Sequence, residues 1–327
     1  MAVSVVLNGA RSNTRVSEAT RQRILDVAAD VNYSPNALAR GLKRQRTNTL
    51  GILFNWAGSR ILRDLYSVEV MGGITQEASN AHYLLLLYTE RWRDDASDAT
   101  TFSDRRTDGI IVVAPEEGSG VIPGLVALGV PSVLVSSAKA VSGVPYVTID
   151  NRRGVTLALE HLTALGHTRI AYAGQGLSRF SFRERHEAFR AWMKEHGRTV
   201  PESHVLAGMQ TGGSGRNAAA LEALLRAPDR PTAVFASNDD LAAEIMDSAR
   251  AVGLSVPEDL SVVGFDDVLT ASLTVPKLTT IRQPLVEMGA QAARLLIKRI
   301  EGEPITEQAH VYAPELIVRG SSAPPVT

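Results

Sequence analysis

Polar and charged side chains gather where this sequence has just finished a run of β-formers. Asn238 and Asp239 close the stretch TAVFASND, and Asp266 and Asp267 close LSVVGFDD. A carboxylate or amide at such a strand end can accept or exchange paired hydrogen bonds with adjacent hydroxyls, which is the pattern a sugar presents. Ligands of open α/β sheets lie beyond the carboxyl ends of the strands, so two facing sheets would make a cleft from two such edges. A local role competes with this one. Asx residues after a strand often only cap the next helix, and Asp150 with Asn151 in YVTIDN reads the same way.

A different chemistry is written into SPNALARGLKRQRTNTL, residues 34–50. Arg40, Lys43, Arg44 and Arg46 crowd one end, while Leu38 and Leu42, four apart, form an apolar edge. Cations on phosphates give salt-dependent, sequence-blind affinity for nucleic acid, and an apolar side chain pushed between base steps kinks the minor groove. Ser34 as N-cap and Pro35 at the first helical position start a helix that should run to about Lys43. Helices below roughly 12 residues rarely hold in water alone, so this one needs a docking partner. The plainer reading of the segment is a solvated basic linker.

Enzyme chemistry is poorly represented. There is no G-x-x-x-x-G-K-[ST], no H-E-x-x-H and no G-x-S-x-G in nucleophile-elbow context, so no catalytic residue is assigned. His161 and His167 stand six apart around a helix end, the wrong spacing for two ligands on one helical face. They are assigned surface and capping roles, and no metal or cofactor is expected. With no cysteine there is neither a disulfide nor thiolate chemistry. No apolar run approaches 18 residues, and the start has no charged n-region, so the expectation is a soluble cytoplasmic protein with no membrane partner.

The elements that would position these residues follow from the 327-residue length, which suggests about two domains, and from an uneven charge. Residues 1–49 carry eight Lys/Arg against Glu18, Asp26 and Asp30, whereas the remainder carries 26 against 32. A basic head therefore precedes an acidic body. In the head, Val3 to Leu7 is a helix end closed by Asn8-Gly9, and Ser17 caps a helix with Ile24, Leu25, Ala28 and Val31 at helical spacing. These pieces are too few to bury a core of their own. From Thr49 strands and helices alternate, the mark of parallel sheets covered on both faces. Strands are expected at LGILF, YLLLLY, DGIIVVA, VPSVLV, RIAYAG, TAVFASND, LSVVGFDD and PELIVRGSS. Helices are expected at 68–80, 154–165, 185–196, 241–252 and 287–300.

Taken in order, VSVVLNG, VSEATRQRILDVAADVNYSPNALARGLKRQRTNTLG, IDNRRGVTLALEHLTALGH, PTAVFASND, VPEDLSVVGFDD and LTTIRQPLVEMG resemble the lactose repressor/galactose repressor family of bacterial regulators over essentially the whole chain. The resemblance implies an α/β fold: two doubly wound parallel-sheet subdomains of the periplasmic-binding-protein type, preceded by a partial all-α helix-turn-helix headpiece and a hinge helix. It places the headpiece at 1–33 and the hinge helix and linker at 34–48. The first subdomain is expected at 49–149 plus 281–309, and the second at 150–280 plus 310–322. The headpiece's first helix, its turn and the leading recognition residues would lie before Met1.

Roles follow residue by residue. Asp266 and Asn238 match effector-contacting positions, with Asp239 and Asp267 left as caps. Arg185 opens RHEAF, similar to the family's R-x-x-G-F with Ala188 in place of glycine, and should reach the effector. Arg153 matches a further lining position, where a second cation would tilt the ligand toward an acid or phosphate. Trp56 and Tyr66 are the candidate aromatic faces. Leu42 matches the minor-groove leucine, beside Arg40, Lys43 and Arg44, while Ser4 and Asn8 fall on the end of the recognition helix. The implied function is a homodimeric transcriptional regulator, a repressor by resemblance, whose affinity for operator DNA is set by a small-molecule effector, a sugar or sugar derivative. The alternative is an effector-binding protein without operator binding, because the headpiece is incomplete.

Overall fold

The computed structural model describes residues 2–8, 15–33, 46–54, 61–89, 96–137, 143–210 and 217–326. The expected hinge helix at Ser34 to Lys43, with Arg40, Leu42, Lys43 and Arg44, lies outside them, as does Trp56. Two helices open the chain: α1 (Ala2–Asn8) and α2 (Glu18–Asp30), the latter capped by Ser17, whose side chain accepts from Thr20 N. No residue of α2 is buried, and Leu25, Val27 and Val31 stay exposed. The pair thus makes no core, as its apolar count implied.

The first lobe contains β1 (Thr49–Phe54), α3 (Leu65–Asn80), β2 (Leu84–Tyr88), α4 (Ala96–Phe102), β3 (Gly109–Val113), α5 (Val121–Ala127), β4 (Ser132–Val135) and β5 (Tyr146–Ile149). The second contains α6 (Asn151–Ala164), β6 (Ile170–Gln175), α7 (Phe180–Glu195), a 3-10 turn at Glu202–His204, β7 (Val205–Met209), α8 (Ala218–Arg226), β8 (Ala233–Ala236), α9 (Asp239–Ala251), β9 (Ser261–Asp266), α10 (Leu269–Leu273) and β10 (Thr279–Arg282). The chain then returns to the first lobe for α11 (Leu285–Glu301) and β11 (Ala309–Tyr312), and crosses once more for β12 (Glu315–Ile317). The sheet orders are β11-β5-β4-β3-β1-β2 and β12-β10-β9-β8-β6-β7, parallel throughout except for β12 against β10.

Three short crossovers therefore join the lobes, near 150, 283 and 313. The expected subdomain boundaries at 281 and 310 need correction. Ile281 and Arg282 belong to the second sheet, and His310 to Tyr312 pair with β5 in the first. The reason is non-local, because β11 finds its partner at Tyr146–Ile149, far away in sequence.

Why α11 leaves its sequence neighbours is legible in its buried face: Leu285, Met288, Gly289, Ala292, Ala293 and Leu296 form an apolar stripe with small side chains at its middle. It lies against α3, where a Cβ on Gly73 would run into the Val286 carbonyl and one on Gly289 into that of Val70. Only glycine permits this backbone-to-backbone approach. The linker meets the first lobe at its opposite end. Asp108 accepts from Thr47 N at 2.6 Å, Thr47 Oγ1 at 2.8 Å and Asn48 N at 2.8 Å, and Arg46 donates to the Ile300 carbonyl at 3.0 Å.

Candidate functional site

The second lobe presents one buried ion pair at its carboxyl edge. Helix α7 starts at Phe180, five residues before the expected Arg185, so Arg185 falls on the stripe with Ala188, Phe189, Trp192 and Met193 that faces the sheet. A guanidinium on an apolar stripe needs compensation, and it has three kinds. Its Nε donates to Asn151 Oδ1 at 2.8 Å, one Nη to the Ser237 carbonyl at 2.5 Å, and its face lies 3.6 Å from the Phe265 ring centroid. The same Nη reaches Asp266 Oδ1 at 3.4 Å. Its other amino group has no partner among the described residues.

Asp266 ends β9 with φ +114°, outside the usual range for a non-glycine residue. Gln283, on the crossover before α11, fixes it twice: Nε2 donates to Oδ1 at 2.6 Å, and the backbone N–H donates to the Asp266 carbonyl at 3.2 Å. Burial pushes the Asp266 carboxyl up to about 7; the attraction of Arg185 and the Gln283 hydrogen bond offset only part of this, and Asp64 and Asp240 add to it. Burial also lowers Arg185, so desolvation works against both members of the pair. Oδ1 takes both bonds, and Oδ2 has none among the described residues. An acceptor and a donor are thus left side by side.

Asn238 follows Ser237, whose carbonyl accepts from Arg185, and so lies beside the ion pair. Its Oδ1 caps α9 through Leu241 N at 3.1 Å. The expectation that Asp239 and Asp267 are caps is corrected. Asp239 accepts from Val268 N at 2.9 Å and Thr280 Oγ1 at 2.5 Å, bracing the end of β9 against β10, and its carboxyl is raised, first by burial. Asp267 accepts from Arg282 at 2.7 Å and Arg319 at 2.6 Å. Asp150 is a cap, accepting from Arg153 N at 2.8 Å.

Across the cleft, α3 carries Tyr66, whose hydroxyl shares a 2.5 Å hydrogen bond with Ser136 Oγ at the end of β4. Burial raises the phenol, and the charges of Asp266, Asp64 and Arg185 all act on it, so it faces the ion pair. Asp64, braced by Ser67 Oγ at 2.7 Å, adds negative charge from the first lobe.

The structure thus brings together Asp266, Asn238, Arg185 and Tyr66. Arg153 does not join them: its side chain is half exposed and lies 3.6 Å from Glu160. Ser4 and Asn8 lie on α1. His167 corrects another expectation. It is buried, not a surface residue, and its ring binds Thr232 Oγ1, Ser261 Oγ and the Ala323 carbonyl, pinning the C-terminal segment under the second sheet. Asn151, Gln283, Phe265 and Ser136 were missed. For Asn151 the only signal was IDN itself, where the cap reading covered the residue that orients Arg185.

Two doubly wound lobes hinged by three crossovers, with a donor and an acceptor held ready at the facing edge, define a two-lobed small-molecule-binding protein. Residues 159–322 match the family described as a periplasmic binding protein-like domain. The HTH-type transcriptional regulator DegA of Bacillus subtilis (strain 168) is 32% identical over 98% of this chain and 94% of its own length. The ribose operon repressor of Escherichia coli (strain K12) is 32% identical over 98% of this chain and 95% of its own. Among solved structures, a transcriptional regulator CelR-cellobiose complex superimposes with a TM-score of 0.76 at 30% identity, covering 97% of this chain and 94% of that one. The chain belongs to the lactose repressor/galactose repressor family of transcriptional regulators and is not an enzyme. No helix among the described residues is long and apolar enough to cross a membrane.

Proposed function

We propose that this chain is a cytoplasmic, homodimeric DNA-binding regulator, a repressor, whose operator affinity is set by a neutral sugar or polyol in the cleft. The observation that carries the ligand class is the charge around Asp266. Among the described residues Arg185 is the one cation brought to the cluster, and Asp266, Asp64 and Asp240 all act there. With Arg153 turned to Glu160, an anion would find Arg185 already engaged by Asp266, while a vicinal diol matches one free acceptor and one free donor. Ribose and cellobiose, named with two relatives, are natural first probes.

Calorimetry on the full chain with ribose, cellobiose and ribose 5-phosphate tests the ligand. Binding of a neutral sugar with no response to the phosphate supports the reading; preference for the phosphate overturns it. Closure around the ligand would move the first lobe together with the linker at Arg46 to Asn48, and so change the fit of the paired hinge segments to DNA. A mobility shift on promoter DNA tests that half, and Leu42→Ala should weaken operator binding without altering sugar affinity. Binding that is weak and indifferent to sequence would favour an effector-binding protein without operator function.

A further inference from the structure

On the side of the cleft away from the three crossovers, the two lobes touch directly. The loop after β3 meets the loop after β6: Glu117 N donates to the Ser178 carbonyl at 2.9 Å, Ser178 Oγ donates to Glu116 Oε1 at 3.2 Å, and Glu116 and Arg179 form an isolated antiparallel bridge. Arg183, on the first turn of α7, forms an ion pair with Glu117, and Ser181 Oγ reaches the Ser136 carbonyl at 3.3 Å. Strand spacing gives the lever arm. β3 is two strands from β5, and β6 three from β10, so at about 4.8 Å per strand these contacts sit roughly 10 to 14 Å from the crossovers. Arg185, Asp266 and Tyr66 lie between the hinge and this rim.

We propose that Glu117 and Arg183 are positioning residues that latch the mouth of the cleft and set its open–closed equilibrium before any effector binds. The backbone bond from Glu117 and the antiparallel bridge give the contact its register, and the ion pair gives it a sign. Arg183 is held ready for it by Glu187, one turn on at 3.5 Å. Two consequences follow. Part of the closing free energy is present without ligand, so effector affinity includes the latch; and a ligand reaches Asp266 only when the latch opens. The proposal rests on the reading of this cleft as the effector site, but its test needs no effector.

The chain has no cysteine, so Leu128→Cys in the first lobe and Glu195→Cys in the second give a clean pair for spin labels. Labelled full-length chain, diluted into unlabelled chain so that distances within one protomer dominate, reports cleft opening. Arg183→Glu should raise the open-to-closed ratio about fivefold, the upper end for a partly exposed pair. Glu117→Arg should do the same, and the double variant should return to the wild-type distribution. High salt should move the wild type, and not the single variants, toward open. An unchanged distribution in Arg183→Glu, or a double variant as open as the singles, overturns the proposal. Should Arg183→Glu fail to fold, Glu117→Gln carries the same test. Failure of every sugar to bind would leave these distances unaffected and would count only against the ligand assignment.

Discussion

The two lobes share a winding and differ in what joins their helices to their sheets. In the first, α3 and α11 meet backbone to backbone at Gly73 and Gly289, an apolar interlock with no room for adjustment. In the second, side-chain hydrogen bonds and ion pairs add to the apolar packing: Asp239 to Thr280 and Val268, Asp267 to Arg282 and Arg319, His167 to the C-terminal segment. Both lobes bury apolar clusters, and Arg294 of α11 also donates to Glu77 of α3 at 3.0 Å, but the denser polar bracing lies in the second lobe. The second lobe carries a buried Arg–Asp pair at its edge, while the first presents a phenol and a hydroxyl. Because Asp108 and the Ile300 carbonyl bind the linker at Arg46 to Asn48 to the first lobe, the regulation proposed above would pass through these contacts.

Breaking the interlock should give the largest effect. Gly289→Val drives a branched side chain into the Val70 carbonyl, backbone on both sides, and should cost about 3 kcal/mol in urea unfolding, the upper end for overpacking. Gly72, its near neighbour in α3, meets nothing within 4 Å, so Gly72→Ala should instead add up to about 1 kcal/mol. Equal effects at the two positions would mean that α3 and α11 are not interlocked.

Asp266→Asn probes the polar lobe at a smaller scale, with a residue that tolerates the positive φ. Removing the charged acceptor should weaken sugar binding by about 1 to 3 kcal/mol by calorimetry. Its effect on stability has the opposite sign at neutral pH. A carboxyl raised from 3.8 to about 7 on folding favours the folded state fully below pH 4, and that contribution is lost as pH rises toward 7. The variant should thus be more stable than wild type by a few kcal/mol at pH 8, with the gap closing by pH 4. Parallel stability–pH curves for the two proteins would place the raised acid elsewhere.

Much of this was legible in sequence for a physical reason. Central strands such as TAVFASND and LSVVGFDD are short apolar runs that end in Asx, and both signals are local. What escaped was non-local or masked. β11, AHVY, is half exposed and takes its identity from β5. α5 holds a proline and a glycine within VIPGLVA, which conceal its helical period. α7 follows an N-cap arginine, Arg179, that makes no capping bond, so no local signal marks its start before Arg185. Asp239, Asn238 and Asp267 looked alike as Asx residues after strands, yet one braces β10, one caps α9 and one holds two arginines. Asn238 keeps a local partner in Leu241, whereas Asp239 and Asp267 are claimed by Thr280 and Arg319, 41 and 52 residues away.

The smallest expected effect separates the two arginines that sequence placed together. Arg185→Ala leaves Asp266 without its counter-charge and removes the free donor beside it, so sugar affinity should fall on the scale of Asp266→Asn. Arg153 lies only two residues from the cluster's Asn151 on α6, but its guanidinium points down the helix to Glu160, and both side chains are about half exposed. Such a pair contributes at most about 1 kcal/mol to stability, and nothing in the geometry connects it to Asp266. Arg153→Ala should therefore leave sugar affinity within about 0.5 kcal/mol of wild type, the usual range for a surface substitution. A loss comparable to that of Arg185→Ala would mean that Arg153 leaves Glu160 when the cleft closes. The cleft would then hold a second cation, and the ligand class would shift from a neutral sugar toward an acid or a phosphate.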